Sequence, residues 1–96
     1  MAFNVKENKC FVPAFTPVYS GSQSELVEGD NGTAYLIFSD DAITAGNVAI
    51  ITIVRANSDT IEDITENHVI GTGAVHVKLT NSGSADVTIT VNCVVL

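Results

Sequence analysis

Residues 74–96 alternate apolar and polar side chains with a period of two, and this pattern constrains the chain more than any other feature. Val75, Val77 and Leu79 are separated by His76 and Lys78. After Asn81-Ser82-Gly83-Ser84 the alternation resumes. Val87, Ile89, Val91, Cys93 and Val95 fall on one side, and Asp86, Thr88, Thr90 and Asn92 on the other. A two-residue period is what a strand with one buried face requires. The stretch between the runs is rich in residues that tolerate positive φ or bond their own backbone. Two such runs around a Gly-containing turn predict a β-hairpin, with Gly83 at a turn position.

Upstream, residues 33–38 and 48–55 are apolar on both faces. Ala34, Leu36 and Phe38 oppose Tyr35 and Ile37, while Val48, Ile50 and Val54 oppose Ala49, Ile51 and Ile53. Two-sided strands are expected where both sheet faces are covered. Gly29-Asp30-Asn31-Gly32 reads as a turn whose Asn-Gly pair signals a hairpin, and Thr44-Ala45-Gly46-Asn47 as another. Glu25-Leu26-Val27-Glu28 is at best a short strand. Asp59-Thr60-Ile61-Glu62 fits a helix-start capping pattern, in which Ile61 and Ile64 anchor one helical turn; an irregular acidic loop before Gly71-Thr72-Gly73 is the alternative.

The first 24 residues have a different texture. Residues 10–19 are apolar and aromatic, with Phe11, Phe15 and Tyr19 spaced by four, but they contain both prolines, Pro13 and Pro17. Proline cannot donate to a ladder, so the run is an edge strand or an extended arm. Ser20-Gly21-Ser22-Gln23-Ser24 reads as a flexible loop. The expectation is therefore an all-β chain: a compact antiparallel β-sandwich or small barrel of five to seven strands, with an extended N-terminal arm. Residues 1–24 form the arm and loop, and residues 25–96 the sandwich domain.

Ninety-six residues make one domain. Charged residues are only 16%, with eleven carboxylates against four Lys or Arg and a net charge of −7. Phosphate backbones repel such a chain and no basic stripe interrupts it, so neither nucleic acid nor an anionic membrane is an expected partner. No stretch reaches membrane-spanning length, and residues 1–7 show no signal-peptide pattern, so synthesis in a cytosol is expected. So little charge suggests that part of the surface is covered by something else.

No catalytic constellation stands out. Asp30 and the pair Asp40-Asp41 lack the spacing of a calcium loop and read as turn carboxylates. Glu62, Asp63 and Glu66 read as a solvated acidic face. His68 beside Glu66, and His76 on the outer face of its strand, read as surface histidines, with no nucleophile context nearby. Cys10 and Cys93 are expected as two packed thiols or as a disulfide tying the ends. No catalytic residue, cofactor or metal is expected, and the chain does not read as an enzyme.

Residues 75–91, from Val75-His76-Val77-Lys78-Leu79 through Ser82-Gly83-Ser84 to Val87-Thr88-Ile89-Thr90-Val91, resemble hairpins of immunoglobulin-like modules in bacterial surface and phage proteins. The chain as a whole resembles small accessory virion proteins of tailed bacteriophages, such as capsid decoration proteins. The likeness lies in Thr/Ser/Asn/Val-rich strands, a proline-containing apolar arm and little charge. It implies a homo-oligomer seated on the major capsid protein or other virion subunits, located in the virion after synthesis in the host cytoplasm. No family motif is matched residue by residue.

Interface candidates follow from the apolar positions left over. They are Phe11, Val12, Phe15 and Tyr19 on the arm, and Tyr35, Ile37, Ile51 and Ile53 opposite the presumed core positions. Lys6 and Lys9 make the arm mildly positive, suited to an acidic sister subunit or a capsid lattice. The competing expectation is a carbohydrate- or ligand-binding β-sandwich module, against which stand the absence of Trp and a total of two Tyr.

Overall fold

A computed structural model describes residues 16–55 and 61–96. These form six strands: β1 (Tyr19–Val27), β2 (Gly32–Ser39), β3 (Ala49–Arg55), β4 (Ile64–Gly71), β5 (Ala74–Asn81) and β6 (Val87–Val95). No helix occurs among the described residues. The strands make two three-stranded antiparallel sheets, ordered β1–β6–β3 and β2–β5–β4. The all-β class, the antiparallel pairing and the strand count agree with the sequence.

The inward faces are also those the alternation gives for β2, β5 and β6. Ala34, Leu36 and Phe38, then Val75, Val77 and Leu79, then Val87, Ile89, Val91, Cys93 and Val95 are buried in one apolar cluster with Val27 and Ile43.

The expected hairpin of residues 74–96 is not one. β5 and β6 are the central strands of different sheets, so the chain arches from one layer to the other through residues 82–86. Their alternating side chains meet across the core rather than their backbones across a ladder. Alternation reports which face is buried; it does not report which strand is the neighbour. The arch is held by Asn81, which is wholly buried. Its Nδ2 donates to the carbonyls of Val27 (3.1 Å) and Ala85 (2.7 Å), and its Oδ1 accepts from the Gly83 amide (2.9 Å).

The Asn-Gly turn behaves likewise. Asp30 and Asn31 take φ of 59° and 67°, the left-handed pair of a type I′ turn. The flanking β1 and β2 lie in different sheets, however, so this turn also crosses between layers. It is tied to the arch by Asp30 N donating to Gly83 O (2.7 Å) and Asn31 N to Asn81 O (2.8 Å). The tight hairpin of the fold is β4–β5, where Gly71 pairs with Ala74 around Thr72-Gly73. Gly73 has φ of +83°, which a residue with a Cβ adopts only with strain.

Three further expectations are corrected. Residues 20–24 are not a loop but the middle of β1, in register with β6 from Ser20↔Val94 to Ser24↔Thr90. A boundary between residues 24 and 25 would cut this strand. A central strand needs ladder partners on both sides, and that need overrides the low strand propensity of Ser and Gly. Gly21 also has a packing reason, because the Tyr19 ring lies where its Cβ would be. On β3 the faces are reversed: Ala49, Ile51 and Ile53 pack against the core, while Ile50 and Val54 face outward. The stretch from Ile61 to Gly71 is neither a helix nor an irregular acidic loop: Ile64 N donates to Ile61 O (3.1 Å), closing a single turn that leads straight into strand β4; Asp59 and Thr60 of the capping pattern lie outside the described residues.

Cys93 occupies the core face of β6, buried, with burial pushing its thiol pKa up; Cys10 lies outside the described residues. A thiol that is both buried and held protonated reacts slowly. In a Cys10→Ser variant, Cys93 should stay unmodified by an aromatic disulfide reagent under native conditions and react fully in denaturant. Rapid native modification would show that β6 opens readily.

Candidate functional site

The expected site residues divide into three groups. Phe11, Val12 and Phe15 lie outside the described residues. Tyr19, Ile51 and Ile53 are half-buried and packed on the core, so they are not the uncovered surface the sequence suggested. Tyr19 makes an edge-to-face contact with Phe38 at 6.2 Å, and burial raises its pKa, followed by the influence of Cys93 and Asp40. Tyr35 and Ile37 stand on the outer face of β2, 69% and 52% exposed.

Those two residues belong to a larger surface. Cross-strand partners share a face, and the register sets two rows side by side on the outer face of the β2–β5–β4 sheet. One row is Ile37, His76 and Val69; the next is Tyr35, Lys78 and Asn67. Together they line a shallow depression of about 400 Å³, open on the solvent side and almost wholly apolar in its walls. Val69 is as exposed as Tyr35, at 69%. Lys78 extends its Nζ over the Tyr35 ring, 5.9 Å from the centroid, within cation–π range.

The outward place of His76 was legible from its alternation with Val75 and Val77. Val69 and Asn67 were not, because Glu66 and His68 interrupt the apolar rhythm of β4. Lys78 stood in plain view as an outward residue, but its neighbour Tyr35 is brought beside it only by the β2–β5 pairing.

Elsewhere, the polar groups include turn-holding contacts. Asp40 Oδ1 accepts the Ala42 amide (2.8 Å), and Gly73 N of the β4–β5 turn donates to Ile43 O of the same loop (2.9 Å). Asp40 is therefore a turn carboxylate, as its sequence context indicated. His68 is on β4 rather than in a loop, with Nδ1 2.7 Å from Glu66 Oε2 on the same face of the strand. Among the described residues no group of three or more His, Cys, Asp or Glu side chains could hold a metal ion, and no helix is long and apolar enough to cross a membrane.

The outer face of the other sheet is also poor in charge. Its rows are Ser20, Val94 and Ile50; Ser22, Asn92 and Thr52; and Ser24, Thr90 and Val54. Ser24 Oγ and Thr90 Oγ1 lie 2.9 Å apart, a hydrogen bond that fixes two outward hydroxyls. No carboxylate thus stands on either outer face, and both present aliphatic, aromatic, amide and hydroxyl groups, with Lys78 and His76 on the β2–β5–β4 side. No family model matches the chain, and no match was found among curated proteins or among solved structures.

Proposed function

We propose that this chain is a non-enzymatic structural protein of a phage virion, a capsid decoration or other head or tail accessory subunit. In this reading it folds as a β-sandwich with its N-terminal residues as an extended arm. It stabilises the particle by burying surface, in a homo-oligomer and against the major capsid protein or other virion subunits, after synthesis in the host cytoplasm. The observation that carries the reading is the exposed set Tyr35, Ile37 and Val69 gathered on one sheet face. Large apolar side chains clustered on a surface mark an interaction site, and burying each is worth about 1.5–3 kcal/mol. The low charge density of the chain and its likeness to virion accessory proteins point the same way.

Peptides of this chain should be recovered from purified virions of the strain that expresses it, at a constant ratio to the capsid subunit. Absence from such particles overturns the virion role. Deletion of residues 1–17 removes no residue of the six described strands. The truncated chain should keep the thermal transition of the full chain but lose particle association. A truncated chain that fails to fold would make that segment part of the core.

A second reading, a carbohydrate-binding β-sandwich module, is favoured by one observation. The exposed Tyr35 ring has the hydrogen-bonding side chains Asn67, His76 and Lys78 around it. Saturable glycan binding abolished by Tyr35→Ala would select it.

A further inference from the structure

We propose that the outer face of the β2–β5–β4 sheet receives a segment of another protein carrying a carboxylate between apolar side chains, and that Lys78 selects the acid. The proposal rests on the assembly reading above and names the chemistry of the partner at that surface.

Of the eleven carboxylates, Glu7 and Asp59 lie outside the described residues, and the other nine face Arg55 and Lys78 as the described Lys and Arg. None of the nine stands on this face. Its outward positions, by register, are Thr33, Tyr35 and Ile37; Thr80, Lys78 and His76; and Thr65, Asn67 and Val69. Lys78 has no carboxylate partner among the described residues; what holds it is the Tyr35 ring. A single ammonium thus rises from the middle of an apolar depression, with the Asn67 amide directly across the strand pair.

Covering this face with apolar groups alone would remove water from Lys78 and return nothing for it. The same holds for a second copy laid face to face, which would bring two Lys78 ammonium groups together with no acid to neutralise them. A partner with one carboxylate seated at Lys78 and apolar side chains over Ile37 and Val69 satisfies both the charge and the walls. The acid would gain Lys78 and Asn67 as donors. The cation–π contact holds the ammonium over Tyr35 before the partner arrives, which reduces the side-chain freedom lost on binding.

The test uses the full chain and three synthetic extended peptides of about nine residues, the length of a strand. All three are apolar and carry a central Glu, Gln or Lys, and binding is read by fluorescence polarisation. The Glu peptide should bind about tenfold tighter than the Gln peptide, and the Lys peptide weakest. Lys78→Glu should reverse that order, and Lys78→Met should abolish the preference while keeping apolar binding. Lys78 is exposed, so both variants should melt like the parent. Equal binding of the three peptides, binding of none, or an order unchanged by Lys78→Glu overturns the proposal. So does a dimer by light scattering that Lys78→Glu dissolves, which would seat a second copy on the face. Virion recovery is scored separately: a chain present on particles that ranks the peptides without regard to charge keeps the assembly reading and loses this one. A chain absent from particles that still prefers the acid loses only the assembly reading.

Discussion

Phe38→Ala should lower the unfolding free energy by about 3–5 kcal/mol, while Ile37→Ala, one residue away, should cost less than about 1 kcal/mol. Phe38 is the largest fully buried side chain of the cluster and holds the edge of the Tyr19 ring. Its removal opens a cavity and also forfeits an aromatic contact worth about 0.5–1.5 kcal/mol. Ile37 points to the opposite side of the same strand, half in water already. Chemical denaturation of the two variants measures the difference. Equal losses would mean that something covers the outer face of β2 even in the isolated chain.

Asn81→Leu should cost about 3 kcal/mol or more, although leucine is of similar size and more apolar. Asn81 itself is wholly buried, and its loss leaves the buried Val27 carbonyl and the part-buried Ala85 carbonyl and Gly83 amide without their partner; a buried polar group left unsatisfied costs about 1–3 kcal/mol. Asn81→Asp is the sharper case. Its oxygen can still accept from Gly83, but a carboxylate would face the carbonyls of Val27 and Ala85. A buried acid in that setting has its pKa raised on folding, so the folded state favours the protonated form. The penalty is smallest below the unfolded value of about 3.9 and grows as the pH rises through and above it. Denaturation midpoints at acid and neutral pH read this directly; a pH-independent loss would show that water reaches the arch.

The same residue shows where sequence reasoning stops. Asn81 opens a stretch of turn-forming residues, so its composition fits equally a hairpin turn and a corner between layers. What separates the two is whether the partner of β5 comes from residues 87–95 or from residues 32–39 and 64–71. That choice is made by tertiary packing, where the Asn81 amide finds the carbonyl of Val27. β3 poses a different difficulty. With aliphatic side chains on both faces, only its register against β6 places Ile51 beside Cys93 and inward. β1 and β4 were hidden because Ser, Gly and Gln in one, and Glu, Asn and His in the other, carry little apolar rhythm. The candidate surface was half legible: Tyr35 and Ile37 stood out as surplus apolar residues on a patterned strand, whereas Val69 joins them only through the β4–β5 pairing.

The order of strands in the two sheets also sets a timetable. Tyr19 pairs with Val95, and Ala49 with the same residue, so β1 and β3 both wait for β6. During synthesis the β4–β5 hairpin can close as soon as it emerges, and β2 can join it, giving one sheet with its apolar face open to water. The other sheet has no existence until residues 87–95 leave the ribosome. Pairings of such long sequence separation slow folding, because loop closure must precede the contacts that repay it. β6 is therefore the closing step for the β1–β6–β3 sheet, and without it neither β1 nor β3 has a ladder partner in that sheet.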